Sequence, residues 1–197
     1  MIKIGINGFG RIGRLILRAL LENYKDKIQV VAINDLGSIE ANAHLIKYDS
    51  THGTLPYDVE TSNDGFKILN QNIKVFAERD PANLPWGKVG VDVVLECTGL
   101  FLDKPSAEKH IKAGAKKVII WAPAKNVDFT IVQGVNSKDL TKDHNVISNG
   151  SCTTNCLAPV AMVLEKNFGI EYGYMTTIHS YTGDQKLLDT LHKDLRR

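Results

Sequence analysis

The hexapeptide Ser151-Cys152-Thr153-Thr154-Asn155-Cys156 sets a thiol among hydroxyls at the head of a helical pattern, and an imidazole follows at His179. A thiol in water titrates near roughly 8.5, so at neutral pH only a small fraction is the nucleophilic thiolate. Two features would raise that fraction. A helix beginning just after Cys152 would point its partial positive charge at the sulfur, and His179, if folding brings it alongside, would stabilise the anion. The pattern points to covalent chemistry with Cys152 as nucleophile and His179 as its base. Ser151, Thr153 and Thr182 add hydroxyls suited to holding a phosphorylated substrate. A cysteine can equally be a small buried hydrophobe, and a strand histidine a satisfied core residue, so the reading rests on the constellation rather than on either residue alone. Cys156, one helical turn on, and Cys97, ending an apolar run, read as packing residues. No second Cys or Cys-His pair has zinc spacing, so no metal is expected. His44, His52, His110, His144 and His192 carry no ligand pattern and read as solvated or structural.

A second constellation lies at the start of the chain. Asn7-Gly8-Phe9-Gly10-Arg11-Ile12-Gly13 places Gly-x-Gly-x-x-Gly between a strand pattern and a helix pattern. There Gly8 permits the tight turn, Gly10 lets a pyrophosphate approach the backbone, and Gly13 lets the helix close on the strand. Asp35 ends the next strand about 20 residues beyond the last glycine, where a carboxylate can accept from adenosine ribose hydroxyls. An anion at that point repels a 2′-phosphate, which favours NAD over NADP.

The elements needed to position these residues are legible as alternation. Residues 2–6 form a short apolar strand, and residues 11–23 carry Ile12, Leu15, Ile16, Ala19 and Leu20 at the spacing of a buried helix face. Residues 28–33 form a second strand. Strand, helix, strand order requires parallel pairing through a right-handed crossover. Residues 41–46 continue as helix. The runs 57–61, 66–69 and 73–77, separated by Asp64-Gly65 and Asn70-Gln71-Asn72, predict a small antiparallel excursion. Strands at 91–96, 117–121 and 146–148, with a helix at 106–113 ended by Gly114, complete an α/β, doubly wound parallel sheet. Residues 153–167 predict a helix that contains Pro159 and is closed by Gly169. The alternation over 171–181 predicts a strand carrying His179.

With 197 residues, 43% hydrophobic and 23% charged, the chain can bury a sizeable core. A formal charge of +2 without a basic run gives no electrostatic case for nucleic acid. Nowhere do 18 apolar residues run together, and the opening goes straight into a strand, so no membrane partner is expected and a cytoplasmic location follows. Three cysteines without a secretory signal argue for reduced thiols.

Taken together, the chain resembles the glyceraldehyde-3-phosphate dehydrogenase family. The resemblance is carried by the glycine turn, Tyr48-Asp49-Ser50-Thr51-His52-Gly53, Glu78-Arg79-Asp80-Pro81, Glu96-Cys97-Thr98-Gly99, Ala122-Pro123-Ala124-Lys125 and the hexapeptide around Cys152. It implies a Rossmann-type NAD-binding domain over residues 1–149 and the beginning of an α+β catalytic domain over 150–197. It further implies that Cys152 attacks glyceraldehyde 3-phosphate to form a hemithioacetal with His179 as base. Hydride passes to NAD, and inorganic phosphate cleaves the resulting thioester to give 1,3-bisphosphoglycerate, a step of glycolysis. By the same resemblance Asn7, Gly8, Gly10 and Gly13 shape the cofactor turn, and Arg11 and Ile12 approach the pyrophosphate through backbone amides. Asp35 holds the ribose, Arg79, Thr98 and Trp121 line the cofactor cleft, and Ser151, Thr153 and Thr182 contact phosphate groups.

The family usually has a small hydroxyl residue where this chain has Trp121, so an indole is expected to crowd the nicotinamide end. Gly150 and Gly183 replace alanine and asparagine, and Asp189-Thr190-Leu191-His192 departs from the Asp-Leu-Pro-His of NAD-specific members, which leaves NADP open as a second cofactor. Family chains continue past Arg197, so the sequence reads as a fragment, inactive alone, of a longer homotetrameric enzyme. Two rival readings remain open: an erythrose-4-phosphate dehydrogenase, and a non-catalytic module that binds NAD or a protein.

Overall fold

The computed structural model describes residues 1–182. Strand β1 (Ile2–Asn7) leads through α1 (Arg11–Asn23) to β2 (Ile28–Asn34) and α2 (Ile39–Lys47). A hairpin of β3 (Tyr48–Asp49) and β4 (Gly53–Thr54) precedes β5 (Val59–Ser62), β6 (Gly65–Ile68) and β7 (Gln71–Phe76). The chain continues with α3 (Trp86–Val89), β8 (Val93–Glu96), α4 (Lys104–Lys112), β9 (Lys117–Ile120), β10 (Phe129–Thr130), β11 (Val146–Ser148) and α5 (Cys152–Phe168).

Nine strands form one sheet in the order β10-β11-β9-β8-β1-β2-β7-β6-β5. Strand β1 pairs in parallel with β2 on one side and β8 on the other, so the chain reverses its direction of winding between β1 and β8. In an open α/β sheet the crevice outside the carboxyl ends of the strands at such a reversal is where ligands bind. The antiparallel excursion is an extension of this sheet. Strand β6 pairs antiparallel with β5 and β7, whereas β7 pairs parallel with β2. Its first turn is Asn63-Asp64, one residue ahead of the expected dipeptide, because Gly65 already pairs with Ser62.

Two apolar clusters pack against the sheet. One gathers Ile4, Ile6, Leu17, Leu21 and Ile33, the other Ala32, Trp86, Val94, Val118 and Ile120. Leu17 and Leu21 of α1 lie one turn apart and are fully buried; each such side chain contributes about 1.5–3 kcal/mol. Helix ends are fixed by side chains. Ser38 accepts from the Ala41 amide at the start of α2, and the Arg18 guanidinium donates to the Ile46 and Lys47 carbonyls at its end. Helix α4 starts at Lys104 rather than at 106 because the Asp103 carboxylate caps it through the Ser106 amide at 2.8 Å.

The structure divides into two units, one over residues 1–160 and a second that begins at Ala161. The first contains the whole sheet. The second, as far as it is described, holds the last turns of α5 and residues 169–182. The expected strand over 171–181 is not formed. These residues take neither helix nor strand and are exposed, and a strand exists only through a ladder partner, which none of the described strands supplies. Gly183 and Asp189-Thr190-Leu191-His192 lie outside the described residues. No helix of the described residues is long and apolar enough to cross a membrane.

Candidate active site

A cleft of about 460 Å³ opens at the winding reversal, beyond the carboxyl ends of β1, β2, β7 and β8. Asn7, Gly8 and Gly10 form one wall, Cys97 and Thr98 another, and Asn34, Asp35 and Arg79 close the side toward β2 and β7. The three glycines have distinct roles. Gly8 holds φ of +90°, and a Cβ there would stand 2.8 Å from the Thr98 nitrogen. A Cβ on Gly13 would stand 2.3 Å from the Gly8 carbonyl oxygen, so only glycine lets α1 close on the turn. At Gly10 a Cβ would meet nothing within 4 Å, which leaves that space open to a ligand.

Helix α1 starts at this turn with Gly10 in the capping position and no side-chain cap. Its first amides therefore lack the internal acceptor that α2 and α4 have, and an anion can supply one. The Arg11 side chain turns away: its guanidinium donates to Asp49 Oδ2 at 2.7 Å and lies 3.2 Å from His52 Nδ1. Amides from His52 and Thr51, followed by Arg11, hold the Asp49 carboxyl far below its ordinary range. Ile12 is half exposed, Gly13 is buried, and Arg79 is exposed on the cleft rim.

Asp35 does more than its position in the sequence indicates. Its Oδ2 accepts from the Phe9 amide inside the glycine turn, and its Oδ1 accepts from the Gly37 amide, both at 2.9 Å. An ionised carboxylate offers about four acceptor positions, so capacity for ribose hydroxyls remains. Next to it, buried Asn34 receives the Glu78 amide and donates to the Glu78 carbonyl and to Asn7 Oδ1. This side-chain bridge ties the ends of β1, β2 and β7 together.

Cys152 opens α5, four residues past the end of β11, on the same carboxyl edge of the sheet. Adjacent strands lie about 4.8 Å apart, so the end of β11 is roughly 12 Å from the crevice between β1 and β8. The turn before Cys152 is pinned at several points. Ser148 donates to the Ala122 carbonyl and accepts from the Gly150 amide, while Asn155 donates to the Asn149 and Ser151 carbonyls. Ser151 Oγ accepts from the Thr154 amide at 2.9 Å, a helix N-cap. Cys152 is exposed, and Thr153 is half-buried. Cys156 is exposed as well, which corrects its reading as a packing residue: α5 has no buried residue. Cys97 is packed under the cleft, and burial, then neighbouring Glu96, pushes its thiol far above the ordinary range.

His179 and Thr182 lie exposed in the second unit, with His179 Nδ1 2.5 Å from the Ser180 carbonyl oxygen. Trp121 follows β9, its amide donating to the Glu96 carbonyl at 3.0 Å and its indole 39% exposed; the residues lining the cleft do not include it. Sequence reasoning missed the roles of Asn34 and Glu96; of the two readings given for His110, solvated or structural, the buried, hydrogen-bonded ring is the structural one. The available signal was a polar residue ending an apolar strand run, at Asn34 and at Glu96.

The chain matches two family models: "Glyceraldehyde 3-phosphate dehydrogenase, NAD binding domain" over residues 2–104 and "Glyceraldehyde 3-phosphate dehydrogenase, C-terminal domain" over residues 151–197. It is 56% identical over 196 residues to a glyceraldehyde-3-phosphate dehydrogenase of Xanthobacter flavus, covering 100% of this chain and 58% of that protein. It is 58% identical over 197 residues to one from Geobacillus stearothermophilus, with the same coverage. For a relative in Pseudomonas aeruginosa the identity is 55%, covering 100% of this chain and 59% of the relative. The chain thus spans somewhat over half the length of these curated relatives.

Proposed function

This chain belongs to the glyceraldehyde 3-phosphate dehydrogenase family, and from that premise we propose that it carries the nucleotide-binding part and the nucleophile of an NAD-dependent, phosphorylating oxidation of glyceraldehyde 3-phosphate. The observation that carries the reading is the placement, on one sheet edge, of an uncapped α1 behind an open Gly10 and of Cys152 at the first position of α5. The arrangement fits a dinucleotide. The α1 amides of Arg11 and Ile12 would receive the pyrophosphate and Asp35 the adenosine ribose, with Asn7, Thr98 and Arg79 along the cleft. By the family resemblance Trp121, which lies outside the residues lining the cleft, would border the nicotinamide end. NAD, when bound, supplies the hydride acceptor.

In this reading the Cys152 thiolate, favoured by the α5 N-terminus, attacks the aldehyde carbon. A C–S bond forms, and the carbonyl oxygen takes a proton from the His179 imidazolium to complete the hemithioacetal, leaving His179 neutral. His179 then accepts the hydroxyl proton as the carbon is oxidised to the thioester. Inorganic phosphate attacks that carbon, the C–S bond breaks, and Cys152 leaves as thiolate. Ser151, Thr153 and Thr182 hold phosphate oxygens. NAD is favoured over NADP because the Asp35 carboxylate opposes a 2′-phosphate. A cytoplasmic homotetramer is the context proposed for the whole protein.

Three measurements test this. Calorimetry should show NAD binding tighter than NADP, and equal or absent binding of both would overturn the cofactor reading. Iodoacetamide should alkylate Cys152 much faster than Cys97 and Cys156; uniform slow labelling would favour a non-catalytic module. Turnover of glyceraldehyde 3-phosphate in a form of the protein that shows activity should require inorganic phosphate, and phosphate-independent turnover would favour the erythrose-4-phosphate reading.

A further inference from the structure

We propose that Glu96 is a positioning residue for the cleft, holding its two walls through a hydrogen-bond chain anchored by His110 and Trp86. The proposal rests on reading the cleft as the dinucleotide site.

Glu96 ends β8 and is 1% exposed; its partners Asn7 and His110, and Trp86 beyond His110, are equally buried. Its Oε1 accepts from both the amide and the hydroxyl of Thr98. Its Oε2 accepts from Asn7 Nδ2 at 2.6 Å and faces His110 Nε2 at 3.0 Å. The indole of Trp86 can only donate, and it donates to His110 Nδ1 at 2.9 Å. His110 must therefore be the neutral tautomer carrying its proton on Nε2, which makes it a donor to Glu96. The donors thus run from indole to imidazole and from imidazole to the Glu96 carboxyl group, which also holds both walls. The Thr98 hydroxyl, oriented by donating to Glu96, accepts from the Leu100 amide at 3.0 Å, which extends the order to a third cleft residue.

All four donors to this carboxylate are neutral. A buried carboxylate held only by neutral groups is a costly way to fill a space that a leucine or methionine could fill. What it achieves is registry. Asn7 belongs to the glycine-turn wall and Thr98 to the facing wall, and Gly8 is packed against the Thr98 amide so closely that a single added carbon would clash. Displacing Thr98 therefore displaces the turn whose amides face the ligand. Glu96 sets the spacing of the walls without needing to touch the dinucleotide.

The test uses Glu96→Gln in the full chain. The amide replaces one acceptor oxygen with a donor, which must face either the Thr98 donors or the pair Asn7 and His110. Amide hydrogen exchange at Thr98, Leu100 and Gly8 should rise about tenfold, while Leu17 in the core keeps its protection. NAD binding should weaken by about tenfold, equivalent to 1.4 kcal/mol. Trp86→Phe keeps a buried ring but removes the indole donor, two links from the cleft, together with part of the ring's volume. It should release His110 from its single tautomer, read by 15N NMR, and loosen Thr98 to a smaller degree. Unchanged exchange at Thr98 and Gly8 in Glu96→Gln, or an unchanged His110 tautomer in Trp86→Phe, overturns the proposal; so does parental NAD affinity in Glu96→Gln. Should Glu96→Gln fail to fold, Trp86→Phe and Thr98→Val decide by the same exchange readout. If the parent binds no NAD yet the exchange and tautomer changes occur, the dinucleotide reading fails and the positioning role stands.

Discussion

The crevice between β1 and β8 and the helix that begins at Cys152 share a sheet edge but are built differently. Around the crevice, Asn7, Asn34, Glu96 and His110 are all buried and hydrogen-bonded to one another, so each wall is fixed by several independent contacts. At α5 the side chains that tie the helix to the preceding turn gather at its start, where Ser148, Ser151 and Asn155 pin the backbone. Beyond it Leu157, Val160, Val163, Leu164 and Phe168 are all exposed. The crevice walls are thus determined by tertiary contacts and the position of Cys152 by a helix cap. Perturbation should spread through the first and stay local in the second.

The largest effect is expected at Gly13→Ala. Its Cβ would press into the Gly8 carbonyl at 2.3 Å, and backbone has no rotamer by which to yield. Urea denaturation should show a loss of about 3 kcal/mol, the upper part of the overpacking range, together with loss of NAD binding. A loss below half of that would mean the turn is softer than the crevice contacts imply. Ser151→Ala removes the α5 cap and should cost about 1 kcal/mol. Its sharper signature is kinetic: Cys152 alkylation slows while NAD affinity stays at the parental value. A coupled loss of affinity would erase the contrast between the two regions.

A third test concerns the far edge of the sheet. Asp128 accepts from Lys104 Nζ at 2.5 Å and from the Val146 and Asn145 amides, linking α4 to β11. The Lys104 contact, then those amides, lower its carboxyl to about 2 from an ordinary 3.8. A depressed carboxylate stabilises the fold above its unfolded value, and that contribution fades as pH falls from 3.8 toward 2. Asp128→Asn should therefore melt below the parent at pH 7, and the gap should close near pH 2. The smallest effect belongs to Leu164→Ala, which removes an exposed side chain and should shift stability by under about 0.5 kcal/mol. A loss comparable to that of a core leucine would show that α5 is covered in solution.

The alternation of strand and helix was legible in the apolar periodicity, but the buried face of α1 was not: Leu17 and Leu21 are buried there, whereas Ile12 and Ala19 of the expected face are exposed. The roles of Gly8 and Gly13 followed from their place in the turn. Apolar periodicity starts helix α4 two residues late because its Asp103 cap lies outside the apolar pattern. Glu96 and His110 were hidden by a different cause. Their importance comes from meeting across α4 and β8, and nothing local to either residue marks a partner fourteen positions away. The expected strand over 171–181 shows the limit of alternation, which describes a side-chain pattern and says nothing of whether a neighbouring strand exists to pair with it.

The two tryptophans of the chain differ in access to solvent. Trp86 is sealed and hydrogen-bonded to His110, while Trp121 is 39% exposed beyond β9. The molecule therefore carries two separate optical reporters. A collisional quencher such as iodide should silence Trp121 alone. The residual emission then monitors the interior, and the quenched fraction monitors the sheet edge.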